Sequence, residues 1–103
     1  MPRGILYVES RPASPEQAAE YHRWYDETHI PEILALDGFV SGRRFGSLGD
    51  DGSFVAIYEI DTDVATARAA LAAAGKAGTM TPPAGFRLDP PPTVRWLDDV
   101  TER

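Results

Sequence analysis

Ile5-Leu6-Tyr7-Val8 is a short apolar run rich in β-formers, and Glu9-Ser10-Arg11-Pro12 ends it, so a first strand is expected over 5–8 with a loop behind it. Ser14-Pro15-Glu16-Gln17 then places a serine at an N-cap, a proline at the first helical position and a glutamine three residues past the cap, which starts a helix. That helix is expected to run to about Thr28, because Pro31 disfavours helical geometry at Ile30 and has no N–H to donate. A kink or restart should follow, with 31–36 as a short further turn closed by Asp37-Gly38. Positions 39–48 read as a second strand, Asp50-Asp51-Gly52-Ser53 as a hairpin turn and 54–60 as a third strand antiparallel to the second.

From Asp63 the period changes. Val64, Ala67, Leu71 and Ala74 share one helical face, and Gly75 offers a stop. The stretch 76–92 carries five prolines and is too irregular for a regular element; its length suits a lid, an arm to a second subunit or a surface loop. A last strand is expected over 93–97. The order strand, helix, strand, strand, helix, strand predicts an α+β, ferredoxin-like βαββαβ protomer over residues 1–103, with two helices on one face of a four-stranded antiparallel sheet.

The other face poses a problem. In the third strand Phe54, Ala56, Tyr58 and Ile60 alternate with Val55 and Ile57, and in the first Ile5 and Tyr7 alternate with Leu6 and Val8, so both faces are apolar. A two-layer protomer covers only one of them, and an exposed apolar sheet is unfavourable in water. A homodimer joined sheet to sheet, a dimeric α+β barrel, is the expected remedy, with a pocket between sheet and helices in each subunit.

Composition narrows the chemistry. A chain of 103 residues holds one domain, and the absence of cysteine excludes disulfides, thiolate metal sites and a cysteine nucleophile. A net charge of −6 with scattered arginines argues against nucleic acid. No segment approaches a signal peptide or a membrane span, so a cytoplasmic protein is expected.

Both histidines fall in the first helix. His22, Tyr25, Asp26 and His29 are spaced to project along one side of an α-helix, with Tyr21, Trp24 and Thr28 on an adjacent strip. Histidine exchanges protons near neutral pH, a carboxylate fixes its tautomer and a tyrosine donates to an oxygen gaining charge, so these four are the candidate catalytic group. No metal is expected, because seven residues of straight helix separate the two imidazoles by about 10 Å, too far for one tetrahedral ion.

Arg43 and Arg44 are neighbours on a strand, so only one faces a pocket, where it would hold a carboxylate or enolate oxygen. Arg43, Arg44, Trp24, Tyr7 and Tyr58 are the candidate substrate-binding residues, with core packing the competing role for the tyrosines. No nucleophile elbow, phosphate loop or dinucleotide fingerprint is present, and no cofactor is expected.

The string Trp24-Tyr25-Asp26-Glu27-Thr28-His29-Ile30-Pro31-Glu32, with Leu36-Asp37-Gly38-Phe39 and Arg43-Arg44-Phe45, resembles the dimeric α+β barrel superfamily, especially its EthD-like and RedY-like small proteins, over residues 4–61. The resemblance implies the barrel dimer and the sheet–helix pocket. It also implies membership of a group that includes natural-product cyclases, cofactor-independent monooxygenases and haem-degrading enzymes. Pocket residues of such cyclases carry over to His29, Tyr25 and Arg43 or Arg44.

The expected function is a cofactor-independent natural-product cyclase that cyclises and dehydrates a polyketide-like or aromatic intermediate of secondary metabolism. His29 would be the base or acid, Asp26 or His22 would orient it or shuttle a proton, and Tyr25 would bond the enolate oxygen. A cofactor-independent monooxygenase and a non-catalytic ligand-binding protein are the alternatives.

Overall fold

The computed structural model describes residues 3–48 and 52–101, so Asp50 and Asp51 of the expected hairpin turn lie outside the described residues. Four strands, β1 (Gly4–Ser10), β2 (Phe39–Gly46), β3 (Phe54–Ile60) and β4 (Thr93–Asp98), form one antiparallel sheet in the order β2-β3-β1-β4. Helix α1 covers 15–34 and helix α2 is Val64–Ala77. This α+β arrangement is compatible with a ferredoxin-like fold, and no described helix is long and apolar enough to cross a membrane.

The period-two pattern sorts the sheet as the sequence implies. Leu6 pairs with Tyr58, Val8 with Ala56 and Ser10 with Phe54, and these residues face the helices. Leu6, Tyr58, Ala56 and Ile60 are buried there with Ile33, Tyr21, Tyr25 and Ala67 from the helices. Such burial is the main stabilising contribution, at about 25 cal/mol per Å² of apolar surface removed from water.

The opposite face is more mixed than strands β1 and β3 alone suggest. Ile5, Val55, Ile57 and Leu97 occupy its middle, but β2 contributes Ser41 and Arg43 and β4 contributes Thr93 and Arg95, with Glu9 and Glu59 at the strand ends. Tyr7 lies on this face and donates its hydroxyl to Glu9 at 3.0 Å. It is therefore on the far side of the sheet from the helices.

Two expectations for the helices are corrected. Helix α1 neither ends at Thr28 nor breaks at Pro31. It passes from a 3-10 turn (Pro15–Gln17), capped by the Ser14 hydroxyl, through α-helix (Ala18–Arg23) into a π-turn (Trp24–His29) and back to α-helix (Ile30–Leu34). The Ile30 N–H bonds the Tyr25 carbonyl, five residues back. Widening the turn just before Pro31 absorbs the missing donor and the ring's bulk, which a regular α-turn would not.

Helix α2 likewise continues through Gly75, because a stop requires the left-handed conformation and Gly78 takes it, at φ 74°. The Asp63 carboxylate caps the other end, accepting from the Thr66 N–H at 3.1 Å.

Beyond α2 the segment 79–92 lies against helix α1. Thr81 gives its N–H and its hydroxyl to the two carboxylate oxygens of Glu32, at 3.0 and 2.6 Å. Phe86 packs on Tyr21, Trp24 and Tyr25. Gly85 makes this approach possible: its φ is 75°, and a Cβ there would stand 2.8 Å from the Gln17 carbonyl and 3.0 Å from the Tyr21 nitrogen. Gly85→Ala is expected to destabilise the fold by about 1–3 kcal/mol from the backbone conformation and the clash together. An unchanged urea midpoint would contradict this close approach.

Candidate functional site

The π-turn decides which side chains meet. On a regular α-helix His22, Tyr25, Asp26 and His29 share a side; with one wider turn inserted, Trp24 and His29, five residues apart, stack at 4.2 Å between centroids and 16° between planes. The four catalytic candidates thus fall into two groups. Tyr25 and His29 line a cavity between α1 and the sheet, and His22 and Asp26 stand outside it around Arg44.

The cavity, of about 230 Å³, is walled by Leu6 and Val8 of the sheet, Trp24 of the helix and Phe86 of the 79–92 segment. Its surroundings are apolar, and this sets the state of the imidazole. Burial pushes the His29 pKa down to about 4, only partly opposed by the nearby Glu32 carboxylate. His29 is neutral at physiological pH. Its Nδ1 is buried and makes no hydrogen bond in the structure, and the same holds for Trp24 Nε1 and for the hydroxyl of Tyr58, whose ring centroid lies 6.1 Å from that of His29. A buried polar atom left without a partner costs stability, and each one calls for an explanation.

Behind the cavity sits a hydroxyl cluster that the sequence reading missed. Ser10 Oγ is 2.7 Å from the Tyr21 hydroxyl and 3.2 Å from that of Tyr25, all buried. Its signal was available: Ser10 follows Leu6 and Val8 at period two and so had to face the helices. Burial raises the Tyr25 pKa to about 12 and raises that of Tyr58 as well, so both phenols stay protonated and can donate.

Arg44, not Arg43, faces the helices. It pairs with Ala56 on the helix side, whereas Arg43 pairs with Ile57 on the other face and lies over the Phe45 ring at 4.9 Å. The guanidinium of Arg44 sits 4.4 Å from the centre of the Tyr25 ring, donates to Asp26 Oδ1 at 3.2 Å and reaches His22 Nδ1 at 3.1 Å. An arginine only donates, so Nδ1 of His22 accepts and its proton resides on Nε2. Burial and the Arg44 charge lower the His22 pKa.

Neither His22 nor Asp26 is hydrogen-bonded to His29. The expected orienting role of His22 and Asp26 therefore has no contact to act through. Removing the arginine charge in Arg44→Met is expected to move the His22 titration upward, followed by NMR of its ring protons; an unmoved midpoint would show that the 3.1 Å contact does not form in solution.

Of the substrate-binding candidates, Trp24 lines the cavity, Tyr58 is buried beside His29, Arg44 flanks the Tyr25 ring, and Arg43 and Tyr7 are on the opposite face. Phe86, Pro83 and Pro92 complete the cavity wall, contributed by a segment whose position no local pattern foretells. Among the described residues no three His, Asp or Glu side chains gather as metal ligands. No family model, no curated protein and no solved structure matches this chain.

Proposed function

We propose that this protein is a cofactor-independent acid–base enzyme that cyclises, with loss of water, a small, largely apolar or aromatic, enolisable intermediate of the polyketide kind. The observation that carries the reading is His29: a neutral imidazole, stacked on Trp24, in the wall of an apolar cavity beside the ring of Tyr25. His29 takes a proton from carbon, and Tyr25 donates to the oxygen that gains charge. Ser10 supports Tyr25 through the contact of their hydroxyls at 3.2 Å, and its Oγ also meets the Tyr21 hydroxyl at 2.7 Å. The low basicity of the free imidazole is offset on binding, because an enolate beside it favours the imidazolium.

The resemblance of the 24–32 string to the dimeric α+β barrel superfamily supports this reading, and a homodimer belongs to it. Two sheets facing one another would cover Ile5, Val55, Ile57 and Leu97, with Arg43, Arg95, Glu9 and Glu59 around them.

The test uses a simple enolisable aromatic diketone, 1-phenylbutane-1,3-dione, in deuterium oxide. Protein-dependent exchange of its acidic C–H, followed by NMR and lost in a His29 variant, supports the base. Exchange accompanied by oxygen uptake assigns the monooxygenase chemistry instead, and binding without exchange assigns a ligand-binding protein.

A further inference from the structure

The short bridge that pins the 79–92 segment to the chain ahead of helix α1 carries an unusual pair. Pro12 and Phe86 are antiparallel bridge partners, flanked by hydrogen bonds from the Arg87 N–H to the Arg11 carbonyl at 2.9 Å and from the Ala13 N–H to the Gly85 carbonyl at 2.7 Å. This register sets Arg11 directly opposite Arg87. Phe86 turns inward onto Tyr21, Trp24 and Tyr25, so by strand alternation the two arginines turn to the other side together.

Like charges directly opposite one another are destabilising. The chain has 16 acidic residues against 10 basic ones, so an acidic partner was easily come by. Yet among the described residues neither arginine has an ion pair or a side-chain hydrogen bond. Both instead line two adjoining hollows, of about 210 and 140 Å³. The acid in the second hollow, Glu9, is bonded by the Tyr7 hydroxyl. Pro92, which walls the second hollow, also walls the apolar cavity of His29.

We propose that Arg11 and Arg87 form an oxyanion-binding site in these two hollows, on the side of the bridge away from Phe86, taking the carboxylate or phosphate of a ligand whose apolar part rests against Pro90, Pro91 and Pro92. An anion between the guanidinium groups removes their repulsion and offers each a charge-assisted bond, and the planar fork suits both headgroups. The ligand class is thereby amphipathic acids, and the site stands apart from the His29 cavity.

Calorimetric titration of the full chain with 3-phenylpropionate, phenyl phosphate, uncharged 3-phenylpropanol and inorganic phosphate tests it, in the wild type and in R11Q/R87Q. The acids are expected to bind about tenfold or more tightly than the alcohol, with the stronger acid naming the headgroup. In R11Q/R87Q, and at high salt, that advantage disappears while alcohol affinity stays the same. Equal affinity of acid and alcohol in the wild type, or an advantage that survives R11Q/R87Q, overturns the arginine site and leaves the cavity reading standing. Arginine-dependent binding of inorganic phosphate with no binding of the aromatic ligands overturns the amphipathic assignment.

Discussion

Replacing His29 by phenylalanine lowers proton exchange from the diketone by about 10²–10⁴-fold, the usual contribution of a positioned acid–base group. Phenylalanine keeps a flat ring against Trp24, which stacks on His29 at 4.2 Å, and removes only the nitrogens. The variant is not expected to lose stability, because the buried, unbonded Nδ1 goes with the imidazole. Loss of activity with an intact or raised urea midpoint separates a catalytic role from a packing role. In the wild type, kcat/KM stays level from neutral pH down to about 5 and falls around the free-enzyme value of about 4, with no inflection at the ordinary histidine value. Retained exchange in His29→Phe, or a clear inflection near 6.5, removes His29 from the mechanism.

Acidification gives the second large effect. As pH falls through 6.5 the imidazole of the unfolded chain takes up a proton, while in the folded protein His29 stays neutral until about 4. Within that window the unfolded state binds more protons, so stability is fully present above 6.5 and is lost as pH falls toward the folded value. At about 1.36 kcal/mol per pH unit, the interval amounts to at most about 3.4 kcal/mol. His22, also lowered, acts in the same direction. Urea unfolding between neutral pH and about 4 should show the wild type losing more stability than His29→Phe, since the carboxylates titrate in both. Parallel loss in the two proteins would mean that His29 is solvated rather than enclosed.

The same histidine shows where local pattern and assembled chain part. The occurrence and order of all six elements follow from residue alternation, from Ser14 and Asp63 as caps and from glycine and proline as breaks, and these are local preferences that act before any packing. The identity of the aromatic and titratable helix, and the fact that only one of Arg43 and Arg44 faces it, follow equally from spacing. Spacing did not supply the angular position of each side chain around α1. One π-turn, placed where Pro31 must be accommodated, groups Trp24 with His29, apart from His22 and Asp26, which meet Arg44.

A second irregularity acts in the same way on the sheet. Strict alternation from the buried Phe39 would carry Arg43 to the helix side, but the register shifts between Phe39 and Ser41, so that Ser41 pairs with Glu59 on the open face and Arg44 with Ala56 on the helix side. A one-residue shift exchanges the faces of everything after it. Alternation and capping thus determined the elements, because they depend on neighbours in the chain. The π-turn, the register shift and the seating of Phe86, Pro83 and Pro92 over the cavity were decided only by the tertiary structure, since each depends on what a distant strand or helix presents to it.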